Sequence, residues 1–322
     1  MANLLKEVWI QDIQELLYPN NSILLKSTDH SSFVHNNKVH VPNAGANPSV
    51  SKNRTVGSLP TVAASRTDND LNYSIDSYSM DPVVISDLET YQIAYDKRKS
   101  VMYNALKNLE TVVTNNFLYQ IAPTSATTYT TGALSTGGLV FNQSGATATG
   151  SRSAVTLSDI FALKTKMDND NIPDDGERIL LVPANMFNSE LLQIANVLQA
   201  YQLGALNLNE SVVSTGVLAK VAGFNIMVRP TTVAYNTNAS GGTSTLKAID
   251  ATGNAAAIAT TDNNAILAWH PRFVSHAKGE IEVFYQEINP LYYGSVISFN
   301  VWEGATKLRS DNKGIYALVQ SN

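Results

Sequence analysis

Ala268-Trp-His-Pro-Arg-Phe-Val-Ser-His-Ala-Lys-Gly279, continuing from Glu280 to Val319, is the best-patterned stretch of this chain. Apolar and polar residues alternate along it, as they do in strands with one buried and one solvated face. Gly294 and Gly304 read as turns, and the chain returns through Leu308-Arg-Ser-Asp-Asn-Lys-Gly-Ile-Tyr-Ala-Leu-Val319. The pattern predicts a long antiparallel sheet with almost no residue suited to catalysis. Such a sheet, in a chain that also carries long polar arms, points to contact between copies of the same protein.

Upstream of the sheet, the elements follow from local patterns. Residues 3–17 predict an amphipathic helix: Leu5, Val8, Trp9, Ile13, Leu16 and Leu17 share a stripe, and Pro19 ends it. Residues 20–70 hold few large apolar side chains, so that stripe is a candidate for burial against a neighbouring subunit. Lys38-Val-His-Val-Pro42 and Leu71-Asn-Tyr-Ser-Ile-Asp-Ser-Tyr78 alternate in strand fashion around a polar tip with Lys52, Arg54 and Arg66. They predict a long two-stranded hairpin, which is marginal alone and needs a surface to lie on.

Ser86-Asp-Leu-Glu89 matches a capping box, and Leu88, Tyr91, Tyr95, Met102, Leu106, Leu109, Val113 and Phe117 recur at helical spacing as far as Pro123. A helix of about 33 residues would make a rod on the order of 50 Å long. Its Asp96-Lys97-Arg98-Lys99 cluster is a solvated face or an inter-subunit ion-pair site. Thr156-Leu-Ser-Asp159 opens a further helix through Ile160, Phe161, Leu163 and Met167; Arg178–Pro183 reads as a buried strand, and 184–203 as another helix. Gly216–Arg229 gives two strands around Ala222-Gly223, while 123–153 and 231–264 are polar insertions. Helices and strands mix without regular βαβ alternation, so the fold class is α+β.

Composition narrows the functions. The 322 residues are 44% hydrophobic, enough for a sizeable core, yet only 15% are charged, against about a quarter in ordinary globular chains. The net charge is −5, with Lys+Arg 22 against Asp+Glu 27, and no basic stripe suits tight nucleic-acid binding. There is no cysteine, the opening residues do not read as a signal peptide, and no stretch has membrane-span length. A soluble intracellular protein is expected.

Catalytic and metal signatures do not assemble. His270 and His276 stand six apart, a spacing that fits no common zinc pattern. The acidic run Asp168-Asn-Asp-Asn-Ile-Pro-Asp-Asp-Gly-Glu177 begins like a calcium loop. It then places Ile172 and Pro173 where that loop needs a ligand and a glycine, so it reads as a helix exit and tight turn. No phosphate-binding glycine loop or nucleophile elbow appears. The expectation is a non-enzyme without metal or cofactor.

The order of parts resembles the major capsid protein of tailed double-stranded-DNA phages, the Hong Kong 97 fold. Three stretches carry the resemblance: Asn171-Ile-Pro-Asp-Asp-Gly-Glu-Arg-Ile-Leu-Leu-Val-Pro183 with Met186, Leu191 and Leu192; Lys220-Val-Ala-Gly-Phe-Asn-Ile226; and Ala268-Trp-His-Pro271 through Lys313-Gly-Ile315. The resemblance implies an N-terminal arm at 1–37, an extended loop at 38–80 and a peripheral domain with the spine helix at 81–121. It further implies an axial domain at 122–270, the peripheral sheet at 271–305 and a return to the axial domain at 306–322. It implies self-assembly into hexamers and pentamers of an icosahedral shell around the genome, inside the virion and built in the host cytoplasm. Portal, scaffold or decoration proteins would be partners, with packaged DNA touched without sequence readout and no membrane. Candidate interface residues are Trp9, Ile13, Lys52, Arg54, Arg66, Lys97 and Arg98. An encapsulin-like cargo shell, or a phage fibre or adhesin, is the alternative.

Overall fold

Val274–Asn289 and Gly294–Lys307 form one long antiparallel hairpin, paired from Val274↔Lys307 to Asn289↔Gly294. The coordinates are a computed structural model that describes residues 22–43, 50, 52–53, 69–86, 97–126, 140–142, 147–149, 152–193, 219–236, 244–249, 262–309 and 313–320. Val283, Ile297, Phe299 and Val301 face the core while Phe284 and Glu282 face outward, as a strand period of two requires.

Gly304 does not turn the chain. It lies inside the second hairpin strand, where an added Cβ would meet Ser74 O at 2.6 Å and Ile75 Cα at 3.0 Å. Glycine is needed for that close backbone approach. Beyond Lys307 the chain also leaves this sheet altogether. Ile315–Val319 pairs with Asp262–Trp269 in a second sheet, from Ala265↔Val319 to Trp269↔Ile315. The terminal alternation is therefore two sheets rather than one.

The hairpin sheet, or wall, has five strands among the described residues. Thr28–Asp29 pairs in parallel with the first hairpin strand, and Asp76–Ser79 and Val83–Ser86 pair antiparallel with the second. The other sheet has nine: Ile179–Pro183 and Asp262–Trp269 sit centrally, with Phe224–Arg229 beside the former and Ile315–Val319 beside the latter. Ile179–Pro183 is buried at every position, which explains its unbroken apolar sequence. Ala219–Val221 and Phe224–Arg229 form the expected hairpin, its two-residue turn taking positive φ at Ala222 (51°) and Gly223 (87°).

Helix α1, Lys97–Ile121, ends two residues before Pro123 as expected. It buries Leu106, Leu109, Val113, Phe117, Leu118 and Ile121 in a core shared by both sheets. Each such side chain contributes roughly 1.5–3 kcal/mol relative to exposure. On the other side of the capping-box expectation, Ser86 closes a strand, and Glu89 lies outside the described residues. Helix α2, Leu157–Asn169, carries the capping box Thr156–Asp159, with both reciprocal bonds present. Within it Ile160, Leu163 and Met167 are buried, whereas Phe161 is 49% exposed. Helix α3 spans only Ala184–Ser189, followed by a 3₁₀ turn at Leu191–Gln193; residues 194–203 of the expected helix lie outside the described residues. Glu190 stops it by pointing inward, where its carboxylate accepts from Val155 N–H at 2.8 Å and from Gln320 at 3.1 Å.

The extended hairpin is present. Lys38–Asn43 and Asn69–Ser74 pair from Lys38↔Ser74 to Asn43↔Asn69. Its second strand does not run unbroken to Tyr78. The ladder ends at Ser74, buried Ile75 crosses over, and Asp76–Ser79 joins the wall sheet. Val34–His35 adds a third strand through a turn with Asn36 and Asn37 in the left-handed region. Val39, Ile75 and Ala277 make a small second core under this junction.

Candidate subunit interface

The residues singled out by sequence are not brought together among the described residues. Trp9, Ile13, Arg54 and Arg66 lie outside them, as does the amphipathic helix at 3–17. Lys97 and Arg98 begin α1, but their side chains are likewise outside the described set. Lys52 is described and exposed.

Residues 22–35 were expected to belong to an arm reaching a neighbour, yet they pack on their own chain. Leu24 is fully buried in the main core. Trp269 Nε1 donates to Lys26 O at 2.8 Å, and Thr28 Oγ1 donates to Pro271 O at 3.1 Å. The backbone of His30 donates to His276 O at 2.9 Å, and Ser31 Oγ accepts from Lys278 N at 2.9 Å. Ser275 Oγ sits 2.7 Å from both His30 Nδ1 and Tyr73 OH, joining the arm segment and the foot of the extended loop at one point. Sequence spacing could not find this cluster, because its members are some 200 to 250 residues apart.

The surface that sequence reading passed over is the tip of the wall hairpin. Leu291 (81% exposed), Tyr292 and Tyr293 (82%) project there, with Phe284 on the outer face. Tyr293 also has a positive φ of 47°. Adjacent large apolar side chains in water are costly unless something covers them. The signal in sequence was the apolar turn Pro290-Leu-Tyr-Tyr-Gly294, where turns are ordinarily polar.

The two histidines and the acidic run have structural partners. His270 is fully buried; its Nδ1 accepts from Arg272 N at 3.2 Å, so the ring proton sits on Nε2 and donates to Asp175 Oδ1 at 3.0 Å. Asp175, Glu177 and His270 do cluster within 4.8 Å. A cation there would need the Nε2 lone pair and would force a proton onto Nδ1, against the Arg272 N–H. The cluster is accordingly a hydrogen-bonded brace. Burial alone would raise the Asp175 carboxyl, but the Glu177 N–H and His270 hold it below its usual range.

The acidic run folds around buried Arg178, which donates to Ile172 O (2.5 Å) and Pro173 O (2.9 Å) and pairs with Asp168 (2.7 Å). Asp170 closes the α2 end with Lys166 (2.9 Å), Lys313 (3.3 Å) and Tyr316 OH (2.7 Å). A helix exit and tight turn are what the structure contains, with Asn171 at φ 56°. No helix among the described residues is long and apolar enough to cross a membrane.

No family model and no curated protein matches the sequence. Solved structures do match, over nearly the whole chain. The capsid of Ralstonia phage GP4 superposes with a TM-score of 0.63 at 12% identity, covering 96% of this chain and 90% of that one. The capsid of cyanophage P-SCSP1u gives 0.61 at 18% identity, covering 94% and 88%. The chain has the phage capsid fold. The mature capsid of bacteriophage PhiM1 matches at 0.56 and 12% identity, covering 91% and 85%. The α+β fold implied by the resemblance is thus found, at identities too low for sequence matching to detect.

Proposed function

We propose that this chain is the major capsid protein of a tailed double-stranded-DNA phage, a structural subunit that assembles into hexamers and pentamers of an icosahedral shell. The observation that carries this reading is the fold match across nine-tenths of both chains to phage capsids. The exposed Leu291–Tyr293 tip and the low charged fraction of 15% support it, since a surface destined for contact needs fewer charges. In this reading the chain is not an enzyme and needs no cofactor. It belongs to the virion, and it assembles in the host cytoplasm with portal and scaffold or decoration proteins as partners.

The domain division follows the same reading. The wall hairpin and α1 belong to the peripheral domain (81–121 and 271–305), and the nine-stranded sheet belongs to the axial domain (122–270), with 306–322 returning to it. Residues 1–37 form the arm, whose outer part, with Trp9 and Ile13, binds a neighbour. The extended loop, 38–80, presents Lys52, Arg54 and Arg66 to the next subunit, and Lys97 and Arg98 serve as further ion-pair sites. Polar arms cost conformational entropy to order, and many modest contacts repeated around a closed shell offset it.

Negative-stain electron microscopy of the expressed protein tests the reading. Closed shells or capsomer rings are expected, and particles from infected cells should contain DNA. A monodisperse monomer at all concentrations, or shells filled only with protein cargo, would overturn it.

A further inference from the structure

His276 lies on the first wall strand and is 1% exposed. The Ser27 hydroxyl uses its single proton on Leu24 O at 2.7 Å, so at 2.8 Å from His276 Nδ1 it accepts. The ring proton is thereby fixed on Nδ1. Nε2 is left as a bare lone pair, buried, without a hydrogen-bond partner. It faces Asp29 Oδ1 at 4.0 Å, while that oxygen is held by the Ser31 amide at 2.9 Å and by the Ser31 hydroxyl.

Among the described residues of the arm, Thr28 and Asp29 alone pair with this strand in the ladder, at Ser275 and His276. From this geometry we infer that His276 is a proton-operated latch: protonation of Nε2 releases the arm segment Ser27–Ser31 from the wall while the core stays folded.

Charged and titratable groups reach the ring from several elements. The arm contributes Asp29 and His30, and the ring's own strand contributes Lys278. The extended loop approaches through Tyr73 on Ser275, and the opposite strand presents Ala305. One carboxylate favours a second ring proton, whereas burial, Lys278 and His30 oppose it. Burial is the largest of these and lowers the His276 pKa to about 4. Burial also lowers His30, with Asp29 acting against it.

The closed latch, or clasp, holds neutral His276, and a released His276 takes the ordinary imidazole value of 6.5, so the closed state is fully favoured above that pH. It loses ground as pH falls from 6.5 towards 4, by about tenfold per unit, on the order of a hundredfold in all. The latch belongs to the subunit itself and does not depend on what the subunit assembles into.

Hydrogen exchange of the whole chain, expressed as protection factors corrected for intrinsic chemistry, tests it between pH 7 and 4. Protection at His30 and Lys278 should fall roughly a hundredfold while Leu180–Val182 stay protected. His276→Gln should flatten that profile. NMR titration of the His276 ring in the wild-type chain gives a second reading that does not rely on a variant folding. An imidazole that titrates near 6.5 with the clasp still protected overturns the latch. So does an unchanged profile in His276→Gln, or loss of protection throughout the chain at one pH.

Discussion

Trp269 donates its indole N–H to Lys26 O at 2.8 Å, so the last residue of a central strand in one sheet holds the segment that enters the other. The Trp269 side chain is fully buried. Trp269→Phe removes the donor, leaves a part-buried carbonyl unpaired and opens a void beside it. A loss of about 2–4 kcal/mol is expected, read from urea unfolding at neutral pH. An unchanged midpoint would mean that the indole bond contributes nothing to holding the arm.

Gly304 and Gly176 should respond to alanine for different reasons. At Gly304 the new Cβ would meet backbone atoms, Ser74 O and Ile75 Cα, which cannot swing aside. Overpacking there should cost about 1–3 kcal/mol and loosen the foot of the extended loop. Gly176 has open space around it but a φ of +81°, so Gly176→Ala should cost about 1–2 kcal/mol through strain alone. Gly176→Asn should recover part of that loss, whereas Gly304→Asn should be worse than Gly304→Ala. Thermal unfolding of the four variants distinguishes the two causes.

Asp170 is the hub of the α2 exit. Burial pushes its carboxyl up, but hydrogen bonds from Lys166, Tyr316 and Lys313 prevail and hold it below the ordinary 3.8. A depressed carboxyl contributes stability that is complete above the ordinary value and is lost as pH falls through the lower folded value. Asp170→Asn leaves two lysines without their carboxylate and should cost about 3–5 kcal/mol at pH 7. The difference between variant and wild type should shrink as pH falls below 3.8. A difference independent of pH would assign the effect to packing.

Trp9→Ala tests the arm reading from the other direction. Under the capsid proposal it should weaken assembly severalfold while the subunit remains folded, because the apolar stripe at 3–17 is completed by a neighbour. Sedimentation of particles alongside circular dichroism of subunits checks both halves. Normal particles of normal stability would remove Trp9 from the interface.

Much of the fold is written locally. The period-two alternation of Val274–Asn289, the Thr156–Asp159 capping box, the Ala222-Gly223 turn and the all-buried run Ile179–Pro183 each depend on neighbours within about ten residues, through backbone geometry and side-chain period. Helix α1 was likewise legible from its apolar spacing and from Pro123. Sequence by itself therefore determined an α+β chain with an extended hairpin, a long helix and a patterned wall. It also gave the acidic run as a helix exit and tight turn.

Tertiary structure alone decided the long-range pairings. Ile315–Val319 looks like a continuation of the wall, but it joins Asp262–Trp269, because the inward faces of both strands complete the other sheet. Gly304 looks like a turn, but its missing side chain makes room for the Ser74–Ile75 backbone more than 200 residues earlier. The environment of His276, with Ser27 249 residues away, exists only when the arm segment lies on the wall. Periodicity and turn chemistry act within a few residues of the chain, whereas strand choice and buried polar pairing are set by which surfaces fit together after the chain has folded back on itself.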